Sequence, residues 1–453
     1  MNDRPDLPPL RAKPPRNRVR RFTNVGRMLA GVFIGYKLIS LRERWKGKEW
    51  AEARRREHHL RSARRFYATA VRLQGLLIKT GQFLGTRPDL VPDEYVEVLS
   101  RLQDQVPPEP FPVIRRTVER ELGRPLSDVF ADFDETPIAS ASLAQVHRAR
   151  LRDGRDAAVK VQYPGIDRVV HIDLRNLRFF VGLLSRLDRT MDYRVVAEEM
   201  SRQVPLELDF VAEGRNAERV RQNFADHPQI VVPEIYWEYT TRRVLTMEYI
   251  EGVKVTDIPA LEAMGVDKRE VARLLVESYL TQMLRHGFFH ADPHPGNLII
   301  QPGPRVAFVD FGMAKELPPS FRELFVRFNR AMVAADHQAM GQAFRDMGFR
   351  MKRDDQESYA ALSNAYIGNI VRKTGDRGYA DQELLRESFL EVMALLKRNP
   401  LVAMPSELLL VGRVTGLLNG LGKILDSRVN LLEAIGRFVS EDALSGQQSA
   451  VSG

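Results

Sequence analysis

The chain has 453 residues, 44% of them apolar and 28% charged, with a formal net charge of +9 and no cysteine. That length allows two or three packed domains. The lack of cysteine excludes disulfides, thiolate metal sites and cysteine nucleophiles, and agrees with a reducing cytoplasm. The charge is uneven: residues 1–72 carry 20 Lys+Arg against 6 Asp+Glu, a net of +14, while the rest carries 48 against 53, a net of −5. The basic character belongs to one segment. Basic residues beside apolar ones suit anionic lipid at least as well as nucleic acid, and the plainest alternative is a solvated arm.

In chain order, the Pro- and Arg-rich residues 1–22 predict a disordered basic arm. "MLAGVFIGY" (28–36) is too short to span a bilayer core, which takes about 20 residues. Residues 23–135 predict a helical extension, with helices through 24–105 and another over 111–122 that stops at Gly123 and Pro125. From 136 to 250 a small sheet lobe is expected. Two alternating strands, 143–151 and 156–162, flank Asp153-Gly154, a tight-turn signal. A helical stretch over 167–222 is inserted before strand character returns at 230–252. Residues 251–440 predict a helical lobe, interrupted by a hairpin over 297–312 that turns at Pro302-Gly303. "LLLVGRVTGLLNGLGKIL" (408–425) reads as an amphipathic helix broken in polarity by Arg413 and Lys423, and 441–453 as a flexible tail. The order predicts an α+β, two-lobed protein-kinase-like fold, with an antiparallel sheet lobe ahead of a helical one.

Five features carry chemistry, each ambiguous alone. "ASASLAQVH" (139–147) begins with small residues, Ala139, Ser140, Ala141 and Ser142, that let backbone N–H groups approach phosphates. Lys160, between Val159 and Val161 on a strand, points to the opposite face from them and can meet α/β-phosphates. In "PLELDFVAEGRN" (205–216), Glu207, Asp209 and Glu213 are expected on one helix, with Glu213 on the face of Asp209. A helix glutamate holding a strand lysine is the ion pair that positions phosphates in kinases. "HADPHPGN" (290–297) could suggest metal ligands at His286, His290 and His294. Pro293 and Pro295 oppose the helix such a triad needs. Asp292 and Asn297 instead keep the D-x-x-x-x-N interval of a kinase catalytic loop. Thirteen residues on, Asp310-Phe311-Gly312 ends an apolar strand and supplies a second carboxylate.

The combination is far more specific than its members. It predicts ATP (or ADP) with Mg²⁺ between the lobes. Lys160, oriented by Glu213, takes the α/β-phosphates, Asn297 and Asp310 take the metal, and Asp292 orients a nucleophile. "TMEYIEG" (246–252) is the expected hinge, with Met247, Glu248 and Tyr249 meeting adenine. The chain departs from ordinary protein kinases in three places. The phosphate loop is not G-x-G-x-x-G, the catalytic loop reads His-Ala-Asp, and no A-P-E follows the D-F-G.

Together with "KTGQ" (79–82) and "ELD" (207–209), these stretches resemble the UbiB-type, AarF-domain atypical kinase-like family over roughly residues 70–430. Ser140 within the alanine-rich loop is a mild departure. The resemblance implies an Mg-dependent ATPase or small-molecule kinase more than a protein kinase. It implies that a K-x-G-Q helix, with Lys79, Gly81 and Gln82, folds over the active site near Glu207 and Asp209. It also implies a role in isoprenoid quinone or other lipid metabolism. A lipid or quinone-precursor ligand and a peripheral position at the inner face of the plasma membrane follow from that, as does contact of the basic segment with anionic lipid. Two alternatives stand beside it: a protein kinase acting in trans, and a non-catalytic scaffold that responds to ATP.

Overall fold

The computed structural model describes residues 17–85, 91–103, 108–187, 194–373, 391–430 and 432–439. The first sixteen residues of the expected arm over 1–22, and the expected tail over 441–453, lie outside these. The chain forms two compact units, Met1–Ala212 with Ile235–Tyr249, and Glu213–Glu234 with Ile250–Gly453. The helical extension and the sheet lobe, expected as separate domains, belong to the same unit.

In the first unit, helix α1 (Arg18–Lys46) starts inside the stretch expected to be disordered. Asn17 caps it by accepting from the Val19 N–H at 2.8 Å. Arg21 then anchors it. The Arg21 Nε donates to Asp173 at 2.7 Å, and its other nitrogens donate to the carbonyls of Leu73 and Gln74. Helix α2 (Lys48–Leu73) runs back along α1, and α3 (Leu76–Gly85) follows after a break at Gln74 and Gly75, both with positive φ. The sheet is antiparallel, in the order Phe130–Phe133, Ala144–Leu151, Asp156–Gln162, Val244–Glu248, with Ala139–Ser140 folding back on Ala144–Leu151. The Asp153-Gly154 turn forms, with Gly154 at φ +92°. Leu99, Leu102, Ile114, Leu151, Val159, Val161 and Val170 build one core beneath both the helices and the sheet.

Helical character between 166 and 223 is not continuous. Ile166–Leu187 and Arg194–Gln203 are separate helices, Leu206–Leu208 is a single 3₁₀ turn, and Phe210–Asn223 is a further helix. Glu207, Asp209 and Glu213 therefore do not share one helix, a correction to the sequence expectation. The reason is local. Pro205 precedes the turn, and Asp209 adopts extended backbone, accepting the Ala212 N–H at 3.1 Å as a helix cap.

In the second unit, Arg305–Phe308 pairs with Leu298–Gln301 across a turn whose Gly303 has φ +82°, and Ile230–Val231 and Val253–Lys254 extend that sheet on either side. Phe288–His290 pairs with Ala314–Glu316. Helices Lys268–Leu280, Pro319–Val333, His337–Asp346, Gln356–Lys373 and Ser406–Ile424 make up most of the rest. Among the described residues no helix is long and apolar enough to cross a membrane.

Candidate active site

Two loops of the second unit are held side by side by backbone pairing. Ala314 lies opposite His290 in the two-stranded ladder, and the Ala291 N–H donates to the Met313 carbonyl at 2.8 Å. On the far side of the loop, the Val309 N–H donates to the Asn297 carbonyl at 3.1 Å. The stretch 290–297 is thus stitched at both ends to 309–314. Asp292, Asn297 and Asp310, all half-buried, are carried on adjoining backbone.

Each side chain is fixed in its own way. Asp292 accepts from Arg413 of helix Ser406–Ile424, at 3.1 Å between Nη2 and Oδ1. Asp310 accepts the Gly312 N–H at 3.0 Å, which pins the carboxylate within its own turn. Glu213, 3% exposed, accepts the Phe311 N–H at 3.3 Å, and Asn216 one turn on donates to the Phe311 carbonyl at 3.1 Å. Helix Phe210–Asn223 therefore grips the D-F-G turn from two positions spaced by three residues.

The three histidines go to three elements. His286 ends a π-helical turn, Thr281–His286, and packs edge-on against Phe224. His290 is fully buried: its N–H donates to Gln282 at 2.9 Å, and its Nδ1 pairs with the Tyr279 hydroxyl at 3.0 Å. Burial pushes the His290 pKa down, against the opposing charges of Asp292 and Asp310. His294 accepts the Gly296 N–H at 3.1 Å, and 3₁₀ turn Pro295–Asn297 follows it.

No group of three His, Asp or Glu side chains converges as a metal cage among the described residues. The amide oxygen of Asn297 and the carboxylate of Asp310 are a small oxygen set. That suits Mg²⁺, which keeps several waters and takes one or two protein oxygens together with substrate phosphates.

The remaining predicted residues belong to the first unit. Ala139 and Ser140 form a short strand, registered on Val146 and Gln145, and the Ala141 N–H closes the turn on the Ala144 carbonyl at 2.8 Å. The small-residue stretch is a tight hairpin, not an open loop. Ser140 pairs with the Tyr163 hydroxyl at 2.8 Å, and burial lifts the Tyr163 pKa to about 12 despite that hydrogen bond. Ser142 is 1% exposed, and its hydroxyl finds no hydrogen-bond partner among the described residues. Lys160 is half-buried between fully buried Val159 and Val161, with its ammonium 5.2 Å from the centroid of Phe210. Met247 is buried and Glu248 exposed at the end of their strand. The Tyr249 N–H donates to the Asp156 carbonyl at 3.2 Å, and the chain enters the second unit after Tyr249.

The K-x-G-Q stretch lies on α3. Lys79 forms an ion pair with Glu207 at 2.6 Å, joining two of the predicted motifs directly. Gln82 donates to the Leu102 carbonyl at 3.0 Å. Gly81 is a close-approach residue: a Cβ there would lie 2.3 Å from a Leu102 methyl and 3.1 Å from the Phe66 ring. Asp209 is 3.9 Å from Arg242, besides capping its helix.

Arg413, which touches Asp292 directly, is a residue that the sequence did not flag. Its signal was available, a lone guanidinium inside an apolar helical run, which a partner is needed to offset.

Residues 101–344 match the model of the ABC1 atypical kinase-like domain, more than half of the chain. The chain belongs to that family. It is similar to the Arabidopsis thaliana chloroplastic protein Activity of BC1 Complex Kinase 8, at 37% identity over 80% of this chain and 52% of the relative. The chain thus spans about half the length of that relative. It is also similar to AarF domain-containing protein kinase 1 of Gallus gallus, at 33% identity over 90% of this chain and 79% of that one. Among solved structures, the Mycobacterium tuberculosis protein Rv3197, determined with erythromycin, matches with a TM-score of 0.59 and 25% identity, covering 84% of this chain and 97% of that chain. The ABC1 fold is kinase-like, so the expected α+β architecture and the family resemblance both hold.

Proposed function

We propose that this ABC1-family chain is a magnesium-dependent, ATP-binding atypical kinase or ATPase that works at a membrane surface on isoprenoid quinone or other lipid metabolism. The observation that carries the nucleotide part is the double stitching of 290–297 to 309–314. It supports a common role for Asp292, Asn297 and Asp310, which the backbone carries as neighbours. Asn297 and Asp310 would hold Mg²⁺, which neutralises phosphate charge when bound. Asp292, held by Arg413, orients the attacking oxygen, from water or from a substrate hydroxyl. Lys160 takes the α/β-phosphates, and the small side chains from Ala139 to Ser142 let phosphates approach that hairpin closely, with the Ala141 N–H already used within the turn. Met247, Glu248 and Tyr249 meet the adenine. The pairing of Lys160 with Glu213 rests on sequence order. The Lys79–Glu207 ion pair ties the K-x-G-Q helix to the E-x-D motif, which supports a joint role for them. The lipid part rests on the +14 segment and on the family resemblance.

Nucleotide binding and hydrolysis by the purified chain test this reading. Wild type should bind ATP in magnesium and hydrolyse it. Asp310→Asn should lose magnesium-dependent binding, and Asp292→Asn should keep binding but lose turnover. Wild type that ignores ATP at millimolar magnesium refutes the reading. Asp292→Asn that keeps full biological function while Lys160→Ala loses it would favour the scaffold. Phosphate transfer to a protein in trans would favour a protein kinase.

A further inference from the structure

Helix α1 has one face that no described residue of the unit covers. Val25 and Met28 are buried against Leu73 and Phe180, and Arg21 is buried with Asp173. His58 of α2 lies against the Val32 carbonyl at 2.9 Å, and Glu43 pairs with Arg55 of α2. These contacts define the inner side. On the other side Ile34, Leu38, Leu41 and Trp45 are 54%, 46%, 60% and 87% exposed. Their spacing of four, three and four residues keeps them within about 60° of arc, along a stripe about 16 Å long. Four large apolar side chains in one unbroken exposed row are uncommon on a solvated helix.

The charges around the row decide what it fits. Arg27 lies on the same side toward the helix start, Lys37 and Arg44 border one edge of the row, and Arg42 the other. Lys46 and Lys48 follow at its end, and all six are exposed. None of them is in an ion pair among the described residues. The only acid of α1, Glu43, is turned inward onto Arg55. A second copy of this helix would bring like charges together with no acid to answer them. No helix among the described residues can cross a bilayer. An apolar row whose charged neighbours on α1 are all cations matches the boundary between acyl chains and anionic headgroups.

We infer that α1 lies flat on an anionic bilayer, with Ile34, Leu38, Leu41 and Trp45 inserted below the headgroups and Lys37, Arg42 and Arg44 among the phosphates. This rests on the membrane part of the proposed function and names the face that makes the contact.

The test is flotation of the full chain with vesicles of phosphatidylcholine, alone or with about a third phosphatidylserine. Wild type should float with the anionic vesicles only. Leu38→Glu combined with Leu41→Glu should weaken partitioning by about tenfold or more. Lys37→Glu with Arg42→Glu, which leaves the apolar row intact, should weaken it too and reduce its sensitivity to salt. In a background lacking Trp50 and Trp237, emission from Trp45 should shift to the blue on anionic vesicles. Leucine variants that float like wild type overturn the inference, as does wild type that ignores anionic vesicles. Ultracentrifugation showing that the leucine pair breaks a dimer, with flotation unchanged, would assign the face to a second copy instead. ATP binding measured without vesicles is a separate readout, so failure of the nucleotide reading and failure of this one are told apart.

Discussion

Replacing Arg413 by alanine should slow turnover without weakening ATP binding. The guanidinium is 3.1 Å from the Asp292 carboxylate, and the two side chains are 32% and 27% exposed. At that distance the gross attraction is about 5 kcal/mol for an effective dielectric of about 20. Partial exposure screens it, and holding two side chains in place costs entropy. A net of about 1–2 kcal/mol remains for a charge-assisted bond of this kind. If that energy holds Asp292 in its productive orientation, Arg413→Ala lowers kcat by about 5- to 30-fold and leaves KM for ATP nearly unchanged. Arg413→Lys, which keeps the charge but not the planar fork, should recover part of the loss. The helix itself should survive, because Val414, Leu418 and Leu421 on the same element are buried independently of the pair. The assay is steady-state ATP hydrolysis by wild type, both Arg413 variants, Asp292→Asn and the double variant. Loss from Arg413→Ala that is equally large in the Asp292→Asn background would refute the coupling, as would turnover within about twofold of wild type.

Three further outcomes follow. Arg21→Ala strands a buried carboxylate at Asp173, so it should destabilise the first unit by about 3–5 kcal/mol in chemical denaturation; a cost below about 1 kcal/mol would contradict the anchoring role. Gly81→Ala must displace Leu102 or Phe66 and should cost about 1–3 kcal/mol, with the Lys79–Glu207 contact disturbed as well; an unchanged melting curve would mean the helix has room to shift. His147 and His290 are fully buried, and burial lowers the pKa of each, so the fold keeps them neutral where the unfolded chain takes up protons, below about pH 6.5. Stability is therefore present above that pH and falls as pH drops, by about 1.4 kcal/mol per histidine for each pH unit over which only the unfolded form is charged. Urea midpoints across that range should show a shallower slope for His147→Gln, and an unchanged slope would refute the assignment.

What could be read beforehand was short-range. Asp153-Gly154 and Pro302-Gly303 fix their turns through the backbone freedom of one glycine each, and both hairpins form with nearly the expected bounds. The D-x-x-x-x-N and D-F-G spacings are likewise local, and the ladder that brings them together involves residues within 30 positions of one another. Long-range partners were not legible. Residues 18–22 look disordered by composition, but Arg21 finds Asp173 far along the chain and the helix begins at Arg18. The break at 205–209 is not visible in the helical pattern of residues around it, because Pro205 and the Asp209 cap decide the backbone there. Arg413 read as a blemish in an apolar helix until Asp292 gave it a counterpart. The exposed row on α1 could not be told from a core stripe without knowing which side α2 covers.

The backbone changes unit three times, after Ala212, after Glu234 and after Tyr249. Neither half can therefore be cut out as a single uninterrupted cassette. A gene fusion or shuffling event that moved only one of them would need three breakpoints, one of them inside helix Phe210–Asn223. Lineages carrying this architecture should consequently diversify by additions at the ends and in loops, while the stretch from 205 to 250 is inherited whole.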